Sequence, residues 1–204
     1  MRKLSALVSV LLMLFAVEST PAQPPATQSP QPTGGAPQGA GSMQSFTSAE
    51  GMFKVELPGT PQQAAKPLNL QGGGTSTLHQ FWVDLDSDNI TYMVIYNDYP
   101  SDYASASPQE LLQTMRDGVV RGKTLTSDVP IDLFGVPGRA FTAIDNDGWQ
   151  YAVHQFLDGT RLYQLIVVNS KDHPAALTEQ FLNSFRILKA PAGGEAAPST
   201  PPAG

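Results

Sequence analysis

Residues 149–168 read WQYAVHQFLDGTRLYQLIVV, and this stretch determines most of what the sequence implies about the fold. Both halves are rich in β-branched, aromatic and aliphatic residues, which favour β-strands, and the DGT sequence at 158–160 can supply the positive φ of a tight turn. We therefore predict an antiparallel hairpin formed by strands 149–157 and 161–168. Apolar residues occupy both alternating faces of the second strand, so other elements must cover both sides of its sheet.

Strand patterns also precede this hairpin along the chain. We predict strands at 53–57, 75–84, 90–97, 124–133 and 138–144. The first of them, FKVEL, alternates apolar and charged residues as a half-buried strand does, and Pro58 and Gly59 end it. The turn sequence DNDG at 145–148 predicts that the last three strands form consecutive antiparallel hairpins.

Two segments have helical patterns. The first begins with SPQE at 107–110, which places a serine at the N-cap, a proline at N1 and a glutamate in capping-box spacing. Its apolar residues share one face, and Gly122 ends it; those residues are Leu111, Leu112, Met115 and Val119. The second helix is predicted at 174–185, with His173 as a candidate capping residue. Because the helices lie between and after runs of strands, we predict an α+β fold with helices packed on an antiparallel sheet.

The two ends of the chain have other compositions. Arg2 and Lys3 precede 14 uncharged residues, too few for a membrane span but suited to a signal peptide, 1–22, cleaved after Ala22. An uncleaved membrane anchor is the alternative. Pro/Gly-rich sequence at 23–42 predicts a disordered linker, and similar sequence at 190–204 predicts a disordered tail. A single globular domain is expected at 43–189. We expect the protein to be secreted or periplasmic, with no membrane-spanning segment after the signal peptide.

The composition excludes several classes of protein. The chain has no cysteine, so disulfides, cysteine-ligated metals and thiol nucleophiles are excluded. Its 12 basic and 18 acidic residues give a net charge of −6, which argues against nucleic-acid binding because a phosphate backbone requires clustered Lys and Arg.

Three short segments resemble PsbP-like domains. They are the strand followed by Pro-Gly at 53–59, the end of the last helix at 181–186, and Gly-Val-Pro-Gly at 135–138, which resembles a Gly-x-Pro-Gly turn. That turn is common in secreted bacterial members of unknown function. The resemblance covers about residues 46–189. It implies an α/β/α sandwich around an antiparallel sheet, and it supplies no active site that could be transferred to this chain.

An acidic run has the spacing Asp-x-Asp-x-Asp and consists of Asp84, Asp86 and Asp88. It is similar to the start of a calcium loop, which requires glycine at the sixth position and a bidentate glutamate at the twelfth. Those positions hold Asn89 and Ile95. We therefore expect a solvated hairpin tip, with weak calcium binding left open.

A second cluster combines aromatic and acidic residues before the first helix: Tyr96, Asp98, Tyr99, Asp102 and Tyr103. Aromatic rings beside carboxylates could bind a sugar or a peptide, and loops often carry binding function. Alternatively, the rings pack over the edge of the core. Together with the acidic run, this cluster is the candidate binding loop.

No catalytic, metal or cofactor motif is present in the sequence. The three histidines, His79, His154 and His173, lack metal-ligand spacing, and no Gly-x-Ser-x-Gly occurs. We expect a non-enzymatic binding or accessory domain that acts on another cell-envelope component, either a protein or a small ligand. The alternatives are a small carboxylate-dependent hydrolase of envelope glycans and a carrier for a small hydrophobic ligand.

Overall fold

The computed structural model describes residues 42–70, 74–85, 88–101 and 107–188. The predicted signal peptide, the predicted tail and all but the last residue of the predicted linker lie outside these ranges. Within them, no helix is both long and apolar enough to cross a membrane.

The described residues form ten strands and two helices. In chain order they are β1 (Gln44–Ser48), β2 (Phe53–Leu57), β3 (Gln62–Asn69), β4 (Thr75–Leu85), β5 (Ile90–Asp98), α1 (Pro108–Val119), β6 (Lys123–Leu133), β7 (Val136–Asp145), β8 (Trp149–Asp158), β9 (Arg161–Ser170), α2 (Thr178–Ser184) and β10 (Arg186–Ile187). All seven predicted strands are present, with ends displaced by at most two residues.

The strands form two antiparallel sheets. The larger has seven strands in the order β3-β4-β5-β9-β8-β7-β6, and the smaller has three in the order β1-β2-β10. The predicted hairpins β7–β8 and β8–β9 are both formed. Strand β9 pairs with β5 on its other side, so the strand with two apolar faces lies at the centre of the larger sheet.

Each face of the larger sheet has its own cover. Tyr163, Leu165 and Val167 of β9 belong to the core that includes the small sheet and α2. Ile166 and Val168, which point to the opposite face, pack in the core that includes Val119 of α1. The two helices therefore lie on opposite sides of the larger sheet, a point that the sequence left open.

The fold contains more sheet than the predicted α/β/α sandwich. Strands β1, β3 and β10 were not predicted, and β3 shows why: its sequence, QQAAKPLN, has no strong apolar alternation, and its residues are exposed or half-buried. It is an edge strand, where Pro67 is tolerated because only one side of the strand needs hydrogen bonds.

The helix ends are only partly as predicted. The capping box of α1 is confirmed, since the Ser107 hydroxyl accepts from the Glu110 backbone and the Glu110 side chain accepts from the Ser107 backbone. Helix α2 begins four residues later than predicted, with Leu177 at the N-cap and no side-chain capping bond. His173 is not the cap. Its backbone N–H donates to the Ser170 carbonyl and closes the turn after β9.

The predicted Gly-Val-Pro-Gly turn at 135–138 is also displaced. The chain reverses at Phe134 and Gly135, which have φ of 53° and 88°, whereas Val136, Pro137 and Gly138 already belong to β7. A Cβ at Gly138 would lie 2.6 Å from a ring carbon of Phe156. Gly138 therefore permits close packing within the sheet rather than a turn.

An ionic network attaches α1 to the sheet. Arg139 of β7 donates to both carboxylate oxygens of Asp128 on β6, at 2.5 and 2.7 Å, and Arg116 of α1 donates to the same carboxylate. Burial raises the pKa of Asp128, but the hydrogen bond from Arg139 and the charges of both arginines outweigh this and hold the pKa below its usual value.

We predict that Phe181→Ala lowers the free energy of unfolding by about 3–5 kcal/mol, because the ring is 0% exposed and packs edge-on against Tyr92 at 5.5 Å. Urea unfolding of the two proteins measures the difference. A loss below about 0.5 kcal/mol, which is typical of surface positions, would contradict this placement of α2.

We predict that Asp128→Asn lowers the free energy of unfolding at pH 7 by about 3 kcal/mol, because Arg139 loses its paired carboxylate and Arg116 keeps only that of Asp117. The pKa of Asp128 is lower in the folded protein than in the unfolded protein, where it is about 4. The ionised carboxylate therefore stabilises the folded state fully above about pH 4, and this stabilisation is lost as the pH falls through the folded pKa.

The difference between wild type and Asp128→Asn should therefore shrink when urea unfolding is repeated below about pH 4. Asp172→Asn, at an exposed position, is the matched control and should leave stability nearly unchanged. A difference between wild type and Asp128→Asn that is independent of pH would contradict the assigned role of the carboxylate.

Candidate binding sites

The residues of the candidate binding loop do not form one site. Asp84 and Asp88 lie beside the tip of the β4–β5 hairpin, whereas Asp98 is at the other end of β5. The nine residues of β5 separate them by about 30 Å. The remaining acidic candidates and one tyrosine lie outside the described residues: Asp86, Asp102 and Tyr103.

The carboxylate of Asp84 has a structural role at the hairpin. It accepts hydrogen bonds from Trp82 Nε1 at 3.1 Å and from Thr91 Oγ1 at 2.7 Å, so it links β4 to β5. Asn89 supplies the positive φ, 52°, of the turn. Across the described part of the chain, no group of three His, Asp or Glu side chains is arranged to hold a metal ion.

Arg161, which the sequence analysis did not single out, contacts both Asp98 and Tyr96. The guanidinium of Arg161 donates to both carboxylate oxygens of Asp98 at 2.7 Å and to the Glu50 carbonyl at 3.0 Å. It also lies over the Tyr96 ring, 5.1 Å from its centroid. The hydrogen bond from Arg161 holds the pKa of Asp98 below its usual value.

His79 completes this cluster from the neighbouring strand. Its ring stacks on Tyr96 with the centroids 4.4 Å apart, and its Nε2 is 3.9 Å from a Glu50 carboxylate oxygen. Burial raises the pKa of Tyr96 to about 12, so its hydroxyl stays protonated at neutral pH. Since His154 is on β8, with β5 and β9 between the two strands, the histidines are not neighbours.

Tyr99 packs on the other side of the sheet, against α1. Its hydroxyl donates to the sulfur of Met115 at 3.0 Å. It borders a cavity of about 10 Å³ between α1 and the sheet. That volume suits one water molecule, so this cavity is too small to hold the hydrophobic ligand of a carrier protein.

Two open grooves flank α2. One, of about 470 Å³, lies between α2 and β2 and contains Glu56, which already accepts from Gln180 at 3.0 Å. The other, of about 420 Å³, lies between α2 and the β7–β8 strands and is lined mainly by neutral side chains, including Thr142, Gln150 and Asn169.

Buried amides on the α1 side of the sheet are a further feature that the sequence did not reveal. Gln80, Asn97 and Gln155 are 1%, 3% and 0% exposed. Both amide atoms of each glutamine, and Nδ2 of Asn97, have no hydrogen-bond partner in the described structure. Because buried amides are nearly always hydrogen-bonded, this arrangement is unusual.

One hairpin carries exposed large hydrophobic side chains. Among the described residues, all the exposed large hydrophobic side chains lie on β6, β7 or the turn between them: Leu125, Val129, Phe134 and Ile144. Phe134, at the turn, is 81% exposed, and the guanidinium of Arg186 lies 5.7 Å from its ring centroid. Leu125 is opposite Ala143 on the α1 side of the sheet, and Ile144 lies at the same end of the hairpin, about 30 Å from the turn. We therefore restrict the name hairpin patch to Val129 and Phe134.

We predict that Arg161→Met lowers the free energy of unfolding by about 1 kcal/mol, since it removes a two-bond ion pair at a partly exposed position. Urea unfolding tests this, with Arg121→Met, at an exposed position, as the matched control. Equal stability of the two variants would show that the Arg161 cluster adds nothing to stability.

Comparison with known proteins supports the fold assignment. No protein-family model matches the chain, and no curated protein sequence matches it significantly. The solution structure of cyanobacterial PsbP from Synechocystis is similar, with a TM-score of 0.50 and 13% identity over 73% of this chain and 94% of that one.

A crystal structure of a Pseudomonas aeruginosa protein of unknown function also matches, with a TM-score of 0.28 and 11% identity over 69% of this chain and 89% of that one. The likeness to cyanobacterial PsbP shows the fold alone, given its low identity. The chain therefore has a PsbP-like fold, as the resemblance in its sequence implied.

Proposed function

We propose that the protein is a secreted, non-enzymatic binding module that docks a protein of the cell envelope through the hairpin patch. Secretion rests on the leader-like sequence at 1–22. The absence of catalysis rests on the lack of a nucleophile, metal or phosphate motif in the sequence.

The observation that carries this proposal is the exposure of Phe134 and Val129, which at 81% and 49% are the two most exposed large apolar side chains of the described residues. An exposed apolar patch on an otherwise packed domain is typical of a protein interaction site. Burying a phenylalanine such as Phe134 on a partner contributes about 1.5–3 kcal/mol. Its place at the tip of a hairpin allows the ring to enter a pocket of the partner.

The chemistry around the patch indicates how a partner binds. Strand β6 is an edge strand, but Pro130 in its middle lacks a backbone donor, which disfavours pairing with a strand of the partner. Binding therefore uses side chains. The charge of Arg186 beside Phe134 favours a partner with an apolar pocket and an acidic rim.

We predict that the double variant Val129→Ser, Phe134→Ser loses at least about tenfold in the capture of envelope proteins, because it removes two apolar anchors. Quantitative pull-down from envelope extract measures the loss. Folding should be unaffected, with the free energy of unfolding changed by less than about 1 kcal/mol, because both side chains are exposed.

Gln63→Ser, at an exposed position on the opposite edge strand β3, is the control and should capture partners as wild type does. The proposal is wrong if the double variant captures the same proteins in the same amounts, or if wild type captures none specifically.

A further inference from the structure

Two cations lie directly opposite each other on the outer face of the small sheet. Lys54 of β2 is paired in register with Arg186 of β10, and both side chains are exposed. Side chains directly opposite in antiparallel strands share a face, with their Cβ atoms about 4.5–5.5 Å apart. Among the register pairs of the described strands, this one alone joins two like charges. We call Lys54 and Arg186 the cation pair.

No carboxylate neutralises the cation pair within the described part of the chain. The Lys54 ammonium has no hydrogen-bond or ion-pair partner there. Arg186 donates through Nη1 to the Asn183 and Phe185 carbonyls, both at 2.7 Å, and so caps the end of α2. Because those acceptors are neutral, the charge of Arg186 also lacks an anionic partner. The pair is therefore a local excess of positive charge on a chain whose net charge is −6.

The cation pair borders the open groove of about 470 Å³ between α2 and β2. The groove also contains two carboxylates, Glu56 and Glu179, and each accepts a hydrogen bond from an amide side chain of α2, at 3.0 and 3.4 Å. Neither carboxylate forms an ion pair with Lys54 or Arg186. The groove thus has an acidic end at α2 and a basic end at the cation pair. An approaching anion is repelled by the first and attracted to the second.

The basic end of the groove is next to the hairpin patch. The guanidinium of Arg186 lies 5.7 Å from the centroid of the Phe134 ring, which is 81% exposed. Lys54 is beside Arg186 on the neighbouring strand. An apolar anchor and two cations without an anion therefore occupy adjoining parts of one surface. A protein that covers Phe134 brings its own side chains to the cation pair.

Another part of the chain shows which group satisfies two neighbouring cations. Arg116 and Arg139 both donate to the carboxylate of Asp128. A carboxylate has two oxygens that accept hydrogen bonds, so a single one can bridge two cations. Since the partner proposed for the hairpin patch is a protein, the matching anion is the carboxylate of an aspartate or a glutamate.

We propose that the cation pair binds the carboxylate of an aspartate or glutamate side chain on the protein that docks through the hairpin patch. This assignment rests on the proposed function and specifies the partner further: an acidic side chain lies beside the apolar pocket that receives Phe134. The carboxylate relieves the repulsion between Lys54 and Arg186, so the bound state gains an interaction that the free protein lacks.

The first test measures capture of envelope proteins by the protein, expressed from its full coding sequence, and by variants of Lys54. Lys54→Gln should weaken capture about fivefold, whereas Lys54→Arg should retain it because arginine keeps the charge. Raising the salt concentration should weaken capture by wild type more than capture by Lys54→Gln. Lys171→Gln is the matched control, since it removes an exposed cation beside the β7–β8 turn, at the far end of β7 from Phe134. It should capture as wild type does.

Stability separates loss of binding from misfolding. Without a partner, Lys54→Gln should have a thermal unfolding midpoint no lower than that of wild type, because it removes the repulsion between two like charges. Weaker capture by a variant that is as stable as wild type cannot come from unfolding.

The second test is a carbodiimide crosslink, which identifies the group that contacts Lys54. The reagent activates a carboxylate, and a lysine amine in contact with it displaces the activating group as a urea and forms an amide. Mass spectrometry should find Lys54 coupled to an aspartate or glutamate of a captured protein. Lys54→Arg should retain capture and lose this crosslink, because the guanidinium stays protonated and does not react.

Three results would overturn the assignment. One is that Lys54→Gln and wild type capture the same proteins in the same amounts. Another is that Lys54 couples to no carboxylate of a captured protein, or only to a carboxylate of this chain in the same or a second copy. In both cases, loss of capture by Val129→Ser, Phe134→Ser would still support docking through the hairpin patch. The third is that wild type captures no protein specifically, which contradicts both proposals.

Discussion

The fold depends on one constraint, which is that both faces of β9 are apolar and must be kept from water. Its residues from Leu162 to Val168 are buried except for the partly exposed Gln164. A sheet centred on such a strand needs a layer on each side. Helix α1 supplies one layer, and the small sheet with α2 supplies the other. The hydrogen-bonded neighbours β5 and β8 share the same two environments.

The position of the hairpin patch is a consequence of how far these layers extend. Four residues lie directly opposite one another on the adjacent strands β9, β8, β7 and β6: Leu165, His154, Ala140 and Val129. They form one line across the sheet. Exposure rises along this line from 0% at Leu165 to 49% at Val129. Helix α2 packs on β2, β8 and β9, so the β6–β7 hairpin extends beyond its cover.

The sequence predicted those parts of the fold whose causes are local. An alternating or doubly apolar run predicts a strand, and the capping box at Ser107 predicts the start of α1, because each signal lies within a few residues. Strand β3 was missed because it is stabilised by pairing rather than by its own pattern. Arg161 and Gln155 were missed because Asp98 is 63 residues from Arg161, and the burial of Gln155 depends on its pairing with β7 and β9.

The interface between α1 and the sheet combines apolar packing with an ionic network. Apolar clusters pack on both sides of Gln155, and Asp128 ties the helix to β6 and β7 through Arg116 and Arg139. Gln155 interrupts the apolar surface between the two clusters, since it lies on the same face of β8 as Val153. Helix α1 is therefore held by two separate apolar clusters and one ionic network rather than by a single continuous core. The ionic network fixes the position of the helix on the sheet, because a bidentate ion pair is directional whereas apolar contacts are not.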